Sequence, residues 1–211
     1  MAHSTSPASL LLEAERFGLP ALERFYRFHA RIYDWTRPLL LFGRRRVLRG
    51  LDVRPGHRVL DVGSGTGLGL ERMLRVGAQV VGIEPSAAMR ERARQRVARL
   101  QRDFSLDERP YGSHADYAGA VDRVLFSYSL AMIPPFEDAL RSAHRDLRGR
   151  GRVGVVDFLD AEPLTGWALR RSHVRLGPER LAALRDLFPR HRLEVRHGLS
   201  WRYFLFWGDV Q

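Results

Sequence analysis

The stretch that decides the fold is VLDVGSGTGLGL, residues Val59–Leu70. A short apolar run ends there in an acid, Asp61. Four glycines then occupy every second position: Gly63, Gly65, Gly67 and Gly69. Glycine disfavours both strands and helices, because it loses more backbone freedom on folding than any other residue. We therefore expect a turn at which another group comes so close to the backbone that side chains would obstruct it.

Outward from this turn, short apolar runs alternate with segments of helical periodicity. The predicted strands are residues 59–62, 78–84, 121–130, 151–160, 191–199 and 201–210. Helices separate all of them except the last two, and Ser86 is predicted to cap the helix that follows the second strand. The alternation predicts a mostly parallel sheet with helices on both faces, and the final pair predicts one antiparallel strand. Residues 101–120 show no clear pattern, and a loop is expected around Pro163.

The first fifty residues have helical periodicity, with apolar and aromatic side chains recurring among Arg and Glu. We predict a helical cap over residues 1–50 and one main domain over residues 51–211. Ligands of such sheets bind outside the carboxyl ends of the strands, where the glycine-rich turn lies.

The composition excludes several classes of protein. The 211 residues contain no cysteine, so disulfides, thiolate metal sites and cysteine nucleophiles are excluded. No apolar run is long enough to cross a bilayer, and the amino terminus lacks the basic start of a secretory signal, so a cytoplasmic location is expected. The net charge of +11 favours anionic partners. All 35 basic residues are Arg, however, and there is no Lys or Asn, so a G+C-rich genome would also account for the charge.

The spacing of the glycines discriminates between two cofactors. The dinucleotide pattern G-x-G-x-x-G fails in each register, because its third glycine would fall on Leu68, Leu70 or Arg72. An acid, one residue and then G-x-G-x-G does fit, from Asp61 to Gly67. This pattern resembles motif I of the class I S-adenosylmethionine-dependent methyltransferases. The competing interpretation is a turn that only lets a helix and a strand pack closely.

The resemblance implies a Rossmann-like, seven-stranded sheet and S-adenosylmethionine as cofactor, with no metal. The backbone of the turn and Asp61 would orient the amino-acid end of the cofactor, and Glu84 would accept hydrogen bonds from the ribose hydroxyls. The predicted cofactor-binding residues are Asp61, Gly63, Ser64, Gly65, Gly67, Glu84, Pro85, Met89, Ala115, Asp116 and Ser127. The adenine register stays open between Ser113 and the preferred Asp116 with Ala115.

Flanking segments extend the resemblance to bacterial betaine-lipid N-methyltransferases, which trimethylate diacylglyceryl-homoserine. These segments are FHARIYDWTRPLLLFGR, SYSLAMIPPFEDAL, VVDF and the ending WRYFLFWG. The resemblance implies that Tyr33 lies over the methionine end of the cofactor, and that Ser127 and Tyr128 line the path to the acceptor nitrogen. Arg37 is the candidate for holding a carboxylate of the acceptor. The amino-terminal segment is expected either to lie on an anionic membrane or to cover the cofactor.

Three other functions compete with methylation of a lipid amine. A nucleic-acid acceptor is suggested by IPPF, residues 133–136, but Ile133 lacks the polar group that would hold a target amine, so no nucleic-acid partner is expected. A small-molecule acceptor, such as a quinone, phosphatidylethanolamine or a natural product, remains open. So does a non-catalytic domain that binds S-adenosylmethionine or lipid.

Overall fold

The computed structural model describes residues 41–112 and 117–210. The strands are β1 (Arg58–Val62), β2 (Gln79–Ile83), β3 (Phe104–Asp107), β4 (Val121–Ser127), β5 (Leu147–Ala161), β6 (Arg190–His197) and β7 (Trp201–Asp209). The helices are α1 (Arg44–Leu51), α2 (Leu68–Val76), α3 (Ala87–Val97), α4 (Phe136–Asp146), α5 (Pro163–Arg171) and α6 (Glu179–Leu187). Two short 3₁₀ turns cover Ala98–Leu100 and Leu130–Met132.

The strands form one seven-stranded sheet in the order β3-β2-β1-β4-β5-β7-β6. β1 to β5 pair in parallel, and β7 is antiparallel to both β5 and β6. The prediction of a Rossmann-like sheet with one antiparallel strand is therefore confirmed. The strand order reverses between β1 and β4, so the loops that follow these two strands open a crevice at the carboxyl edge of the sheet.

Side chains alternate between the two faces of the sheet, as the period of a strand requires. On one face, Val59, Leu125 and Val156 join a buried cluster with residues of α1, α2 and α3. On the other face, Leu60 and Val124 join a second cluster with residues of α4 and α6. Both faces are thus covered by helices, which explains why most side chains of the central strands are apolar.

Local chemistry accounts for the bounds of several helices. Gly67 and Gly77 precede and follow α2, each in the left-handed conformation that favours glycine. The predicted cap of α3 is Ser86, whose hydroxyl accepts a hydrogen bond from the Met89 N–H. α4 carries acids in its first turn and bases in its last, which matches the helix dipole.

Three features differ from the sequence-based expectation or extend it. β3 lies inside the segment 101–120, for which the sequence predicts no strand. A strand of four residues is too short to display a period. The expected loop at Pro163 is wrong: Pro163 is the first residue of α5, a position at which its missing N–H costs nothing. α1 crosses the predicted domain boundary at residue 50 and packs on the sheet through Val47 and Leu51. No helix in the ranges 41–112 and 117–210 is long and apolar enough to span a bilayer.

Candidate cofactor and acceptor site

The turn between β1 and α2 holds its glycines for different reasons. Gly63, Gly65 and Gly67 have φ angles of +69°, +55° and +81°, which other residues rarely adopt. A Cβ on Gly63 would collide with the Cβ of Ser129, and one on Gly67 would lie 3.0 Å from the Cα of Ala93. A Cβ on Gly65 would meet no described atom within 4 Å. Gly63 and Gly67 therefore also lack the room for a side chain. Of the three, only Gly65 has open space in front of it.

That open space is a cavity of about 170 Å³ at the carboxyl ends of β1 and β4. The turn itself forms one wall, and Ser127 at the end of β4 forms part of another. Its described lining is Arg44, Leu48, Asp61, Gly63, Ser64, Gly65, Thr66, Leu68, Gly69, Arg72, Arg96, Leu125 and Ser127. Five of the residues predicted from the sequence thus line one cavity: Asp61, Gly63, Ser64, Gly65 and Ser127.

Asp61 supplies a buried carboxylate to this cavity. Burial raises its pKa from 3.8 to about 7, the positive charge of Arg44 opposes that rise, and the negative charge of Glu84 adds to it. Asp61 accepts a backbone hydrogen bond from Leu70, whereas its buried Oδ2 has no partner among the described residues. The site therefore holds an acceptor atom that a cationic donor would satisfy.

Gly69 and Ser64 complete the surroundings of this carboxylate. A Cβ on Gly69 would run into Oδ2 of Asp61, so the fourth glycine of the motif keeps space for the acid. Sequence reasoning recognised this glycine but gave it no role. The Ser64 hydroxyl is also buried and has no partner in the described part of the chain. Two polar atoms without partners therefore belong to the same cavity wall.

Glu84 follows β2 directly and stabilises the glycine turn. Its Oε2 accepts a hydrogen bond from the Gly65 N–H at 2.9 Å, and its Oε1 accepts one from the Ser86 N–H at 3.0 Å. The acid thus joins the first turn of the fold to the start of α3. Pro85 follows it, and Met89 is buried in the first turn of α3. The ribose contact of Glu84 and the cofactor contacts of Pro85 and Met89 stay predictions.

The end of β3 carries an acid that sequence reasoning missed. Asp107 is the last residue of β3, and its carbonyl accepts a hydrogen bond from the Glu84 N–H at 2.9 Å. Its carboxylate accepts hydrogen bonds from Arg109 and from the Tyr117 hydroxyl, and the contact with Arg109 chiefly lowers its pKa. No strand is predicted from the sequence over residues 101–120, so no acid at a strand end is expected there. The predicted adenine contacts, Ala115 and Asp116, lie outside the described residues.

Tyr128 immediately follows β4 in a strained conformation, with φ of +58°. Its hydroxyl donates to the Phe42 carbonyl at 2.8 Å, and its ring packs edge-on against Phe158 at 4.7 Å. Burial raises its pKa well above the ordinary value. The hydroxyl therefore anchors the chain that enters α1, and contact with an acceptor stays a prediction. Tyr33 and Arg37 lie outside the described residues.

A second cavity, of about 410 Å³, adjoins the first. The two share Arg44, Leu68 and Arg72 as wall residues. The remaining described lining is Leu41, Phe42, Gly43, Arg45, Arg46, Arg49, Arg196 and Tyr203. The second cavity thus combines an arginine-rich wall with apolar and aromatic side chains, a composition that suits an amphiphilic molecule.

Comparison with known proteins identifies the fold and its cofactor. The profile of a family described as "Methyltransferase domain" matches residues 27–206. This chain belongs to that methyltransferase family. The predictions of a class I methyltransferase fold and of S-adenosylmethionine as its cofactor are therefore confirmed at the level of the family.

Relatives of this methyltransferase differ in their acceptors. A demethylmenaquinone methyltransferase of Corynebacterium urealyticum is 31% identical over 144 residues, covering 60% of this chain and 54% of that protein. A protein-L-isoaspartate O-methyltransferase of Methylorubrum extorquens is 38% identical over 111 residues, covering 52% of this chain and 45% of that protein. The chain thus spans about half the length of these curated relatives.

The solved structure of a phosphoethanolamine N-methyltransferase 2 of Haemonchus contortus, bound to phosphomonomethylethanolamine and S-adenosylhomocysteine, superposes with a TM-score of 0.68. It is 14% identical, and the match covers 79% of this chain and 52% of that chain. At this identity the likeness concerns the fold.

The first cavity of this methyltransferase fits the amino-acid end of S-adenosylmethionine. The orphaned Oδ2 of Asp61 suits an ammonium group, and the Arg44 side chain in the same wall suits a carboxylate. The space in front of Gly65 lets the ligand approach the backbone.

Proposed function

We propose that this chain transfers methyl groups from S-adenosylmethionine to the amino head group of a membrane lipid similar to diacylglyceryl-homoserine. The observation that carries the proposal is the pair of adjoining cavities with Arg44, Leu68 and Arg72 in their common wall. One cavity offers a buried acid beside a glycine turn, and the other offers arginines and apolar side chains. Cofactor and amphiphilic acceptor would then meet at the common wall.

The residues of the chain would act by alignment. When bound, S-adenosylmethionine supplies a methyl group on a sulfonium, which is already a good leaving group. Holding donor and acceptor in line is the main catalytic demand, so a strong general base is not needed. Asp61 would hold the ammonium of the cofactor, and Ser127 would border the space between the cavities. Tyr128 would position this region by tying the end of β4 to the segment before α1.

Exposed apolar side chains at the carboxyl edge of the sheet support access to a membrane lipid. Leu164 and Leu199 are 79% and 76% exposed, and Trp167 is 58% exposed. α5 and the β6–β7 turn are joined through Ser200, whose carbonyl accepts from the Glu162 N–H at 2.9 Å. This apolar group therefore lies at the carboxyl edge of the sheet, on the same edge as both cavities. Tryptophan and leucine beside exposed arginines are typical of surfaces that lie on anionic membranes.

A small-molecule acceptor such as a quinone is the second candidate. It is favoured by the similarity to demethylmenaquinone methyltransferases, whose acceptor is a quinone rather than a lipid amine. The apolar residues Leu41, Phe42 and Tyr203 of the second cavity would suit such a ring system as well. A domain that binds the cofactor without turnover is the third candidate.

Lipid mass spectrometry of a heterologous host that expresses the chain distinguishes these candidates. The host is grown with and without a source of diacylglyceryl-homoserine, and the matched control expresses the Gly65→Val variant. We expect a trimethylated lipid that needs both the source and the unmodified chain. The appearance of methylated phosphatidylethanolamine instead would keep a membrane lipid as the acceptor but identify a different head group. An unchanged lipid profile, with calorimetric binding of S-adenosylmethionine intact, would overturn the lipid assignment and favour a soluble acceptor or a binding domain.

A further inference from the structure

α1 carries arginines where the physics of a helix disfavours them. Its sequence is RRRVLRGL, and its first turn contains no acid. Arg45 stands near the amino terminus, where the helix dipole is already positive. Arg49 lies in the last turn, where the dipole favours a cation, but it stands four residues after Arg45 on the same side, and like charges at this spacing repel. Such conflict with local rules is typical of functional surfaces rather than of stabilising ones.

The protein neutralises only part of this charge. Glu194 accepts hydrogen bonds from Arg46 at 2.7 Å and from Arg196 at 3.0 Å, and these contacts hold its pKa well below the usual range. Arg45, Arg49 and Arg72 have no carboxylate partner among residues 41–112 and 117–210. Three guanidinium groups that line the second cavity therefore retain their hydrogen-bonding capacity.

Arg72 of α2 and Arg45 of α1 come from different helices and face the same cavity. Burial lowers the pKa of Arg72, and the positive charge of Arg45 lowers it further. The negative charge of Glu71 opposes this effect only in part, so like charges are held near each other without full compensation. Binding of an anion would relieve the repulsion, and the planar fork of arginine matches both carboxylate and phosphate.

We propose that Arg45, Arg49 and Arg72 form an oxyanion subsite for the methyl acceptor, a proposal that rests on the proposed function. The subsite takes a carboxylate or phosphate group of the acceptor and leaves the amine directed toward the cofactor cavity. Arg72 lines both cavities, so an anion held there is separated from the cofactor only by the common wall. Leu41 and Phe42 line the same cavity and would contact the apolar part of the acceptor.

Calorimetric titration of simple anions tests the subsite. Inorganic phosphate and acetate are titrated into the full chain in the presence of S-adenosylhomocysteine, at low and at moderate salt. The variant is the double substitution Arg45→Gln and Arg49→Gln, which leaves Arg72 in the cofactor wall. The matched control is Arg141→Gln, which removes an exposed arginine from α4 on the opposite face of the sheet.

We expect phosphate, acetate or both to bind the unmodified chain and the control alike, and the double variant to bind them at least tenfold more weakly. A preference for phosphate would indicate a phospholipid or phosphate ester, and a preference for acetate would indicate a homoserine-like carboxylate. Vesicles that contain phosphatidylethanolamine or diacylglyceryl-homoserine then separate a lipid source from a soluble one. Failure of both anions to bind, or equal binding by the double variant, would overturn the subsite.

The affinity for S-adenosylmethionine separates this proposal from the function on which it rests. We expect the double variant to bind the cofactor within twofold of the unmodified chain. If the unmodified chain binds the anions but no cofactor, or binds both but methylates no acceptor, the proposed function fails while the anion site stands.

Discussion

Replacing Asp61 by Asn removes a buried charge while keeping the shape of the side chain. The carboxylate is 2% exposed, and burial raises its pKa from 3.8 to about 7. An acid whose pKa is higher in the folded than in the unfolded state stabilises the fold below the unfolded pKa. That contribution is lost as the pH rises from about 4 to about 7, and it changes little above.

The shift of roughly 3 pKa units corresponds to about 4 kcal/mol, at about 1.4 kcal/mol per unit. Asp61→Asn should therefore match the unmodified chain near pH 4 and exceed its free energy of unfolding by up to about 4 kcal/mol at pH 8. The affinity for the cofactor should change in the opposite direction and fall. Loss of one charge-assisted hydrogen bond costs about 1.5–3 kcal/mol, so S-adenosylmethionine should bind about 10- to 150-fold more weakly.

Urea denaturation without cofactor, at pH 4.5, 6 and 8, measures the stability difference, and calorimetry at pH 8 measures cofactor affinity. Asp138→Asn is the matched control, because it removes the same formal charge from a half-exposed site on α4. In the unmodified chain, cofactor affinity should rise about fivefold between pH 6 and pH 7 as Asp61 ionises. A stability difference that does not vary with pH would refute the raised pKa, and unchanged cofactor affinity would refute the role of Asp61.

Three further predictions test the turn, the anchor before α1 and the apolar surface. Gly65→Val should abolish cofactor binding. Gly56→Val is the control, because Gly56 has a similarly positive φ and open surroundings away from the cavity, and it should lower only stability. Calorimetry measures cofactor binding, and equal effects of the two variants on it would contradict the assignment of the glycine turn to the cofactor site. Tyr128→Phe should lower the free energy of unfolding by about 1 kcal/mol, since the Phe42 carbonyl loses its donor; an unchanged urea midpoint would argue against the anchor. Trp167→Ala should reduce sedimentation with anionic vesicles severalfold and leave cofactor affinity unchanged; equal sedimentation would exclude this surface as the membrane contact.

The sequence alone determined the fold class and the cofactor. Local patterns suffice for both, because glycine spacing is set by the backbone of one turn and the alternation of strands and helices is visible along the chain. The acid of Asp61 and the cap at Ser86 were found for the same reason: each acts on residues a few positions away. β3 was not predicted because a strand of four residues shows too little pattern, and the acid at its end, Asp107, was therefore missed as well.

Only the tertiary structure decided what surrounds the turn. Gly63 and Gly67 are constrained by Ser129 and Ala93, and the hydroxyl of Tyr128 donates to a carbonyl before α1. Likewise, Arg45 and Arg72 line the same cavity because of how α1 and α2 pack on the sheet. These contacts join residues that are distant in sequence, and their geometry depends on the packing of whole helices and strands, which no local pattern contains.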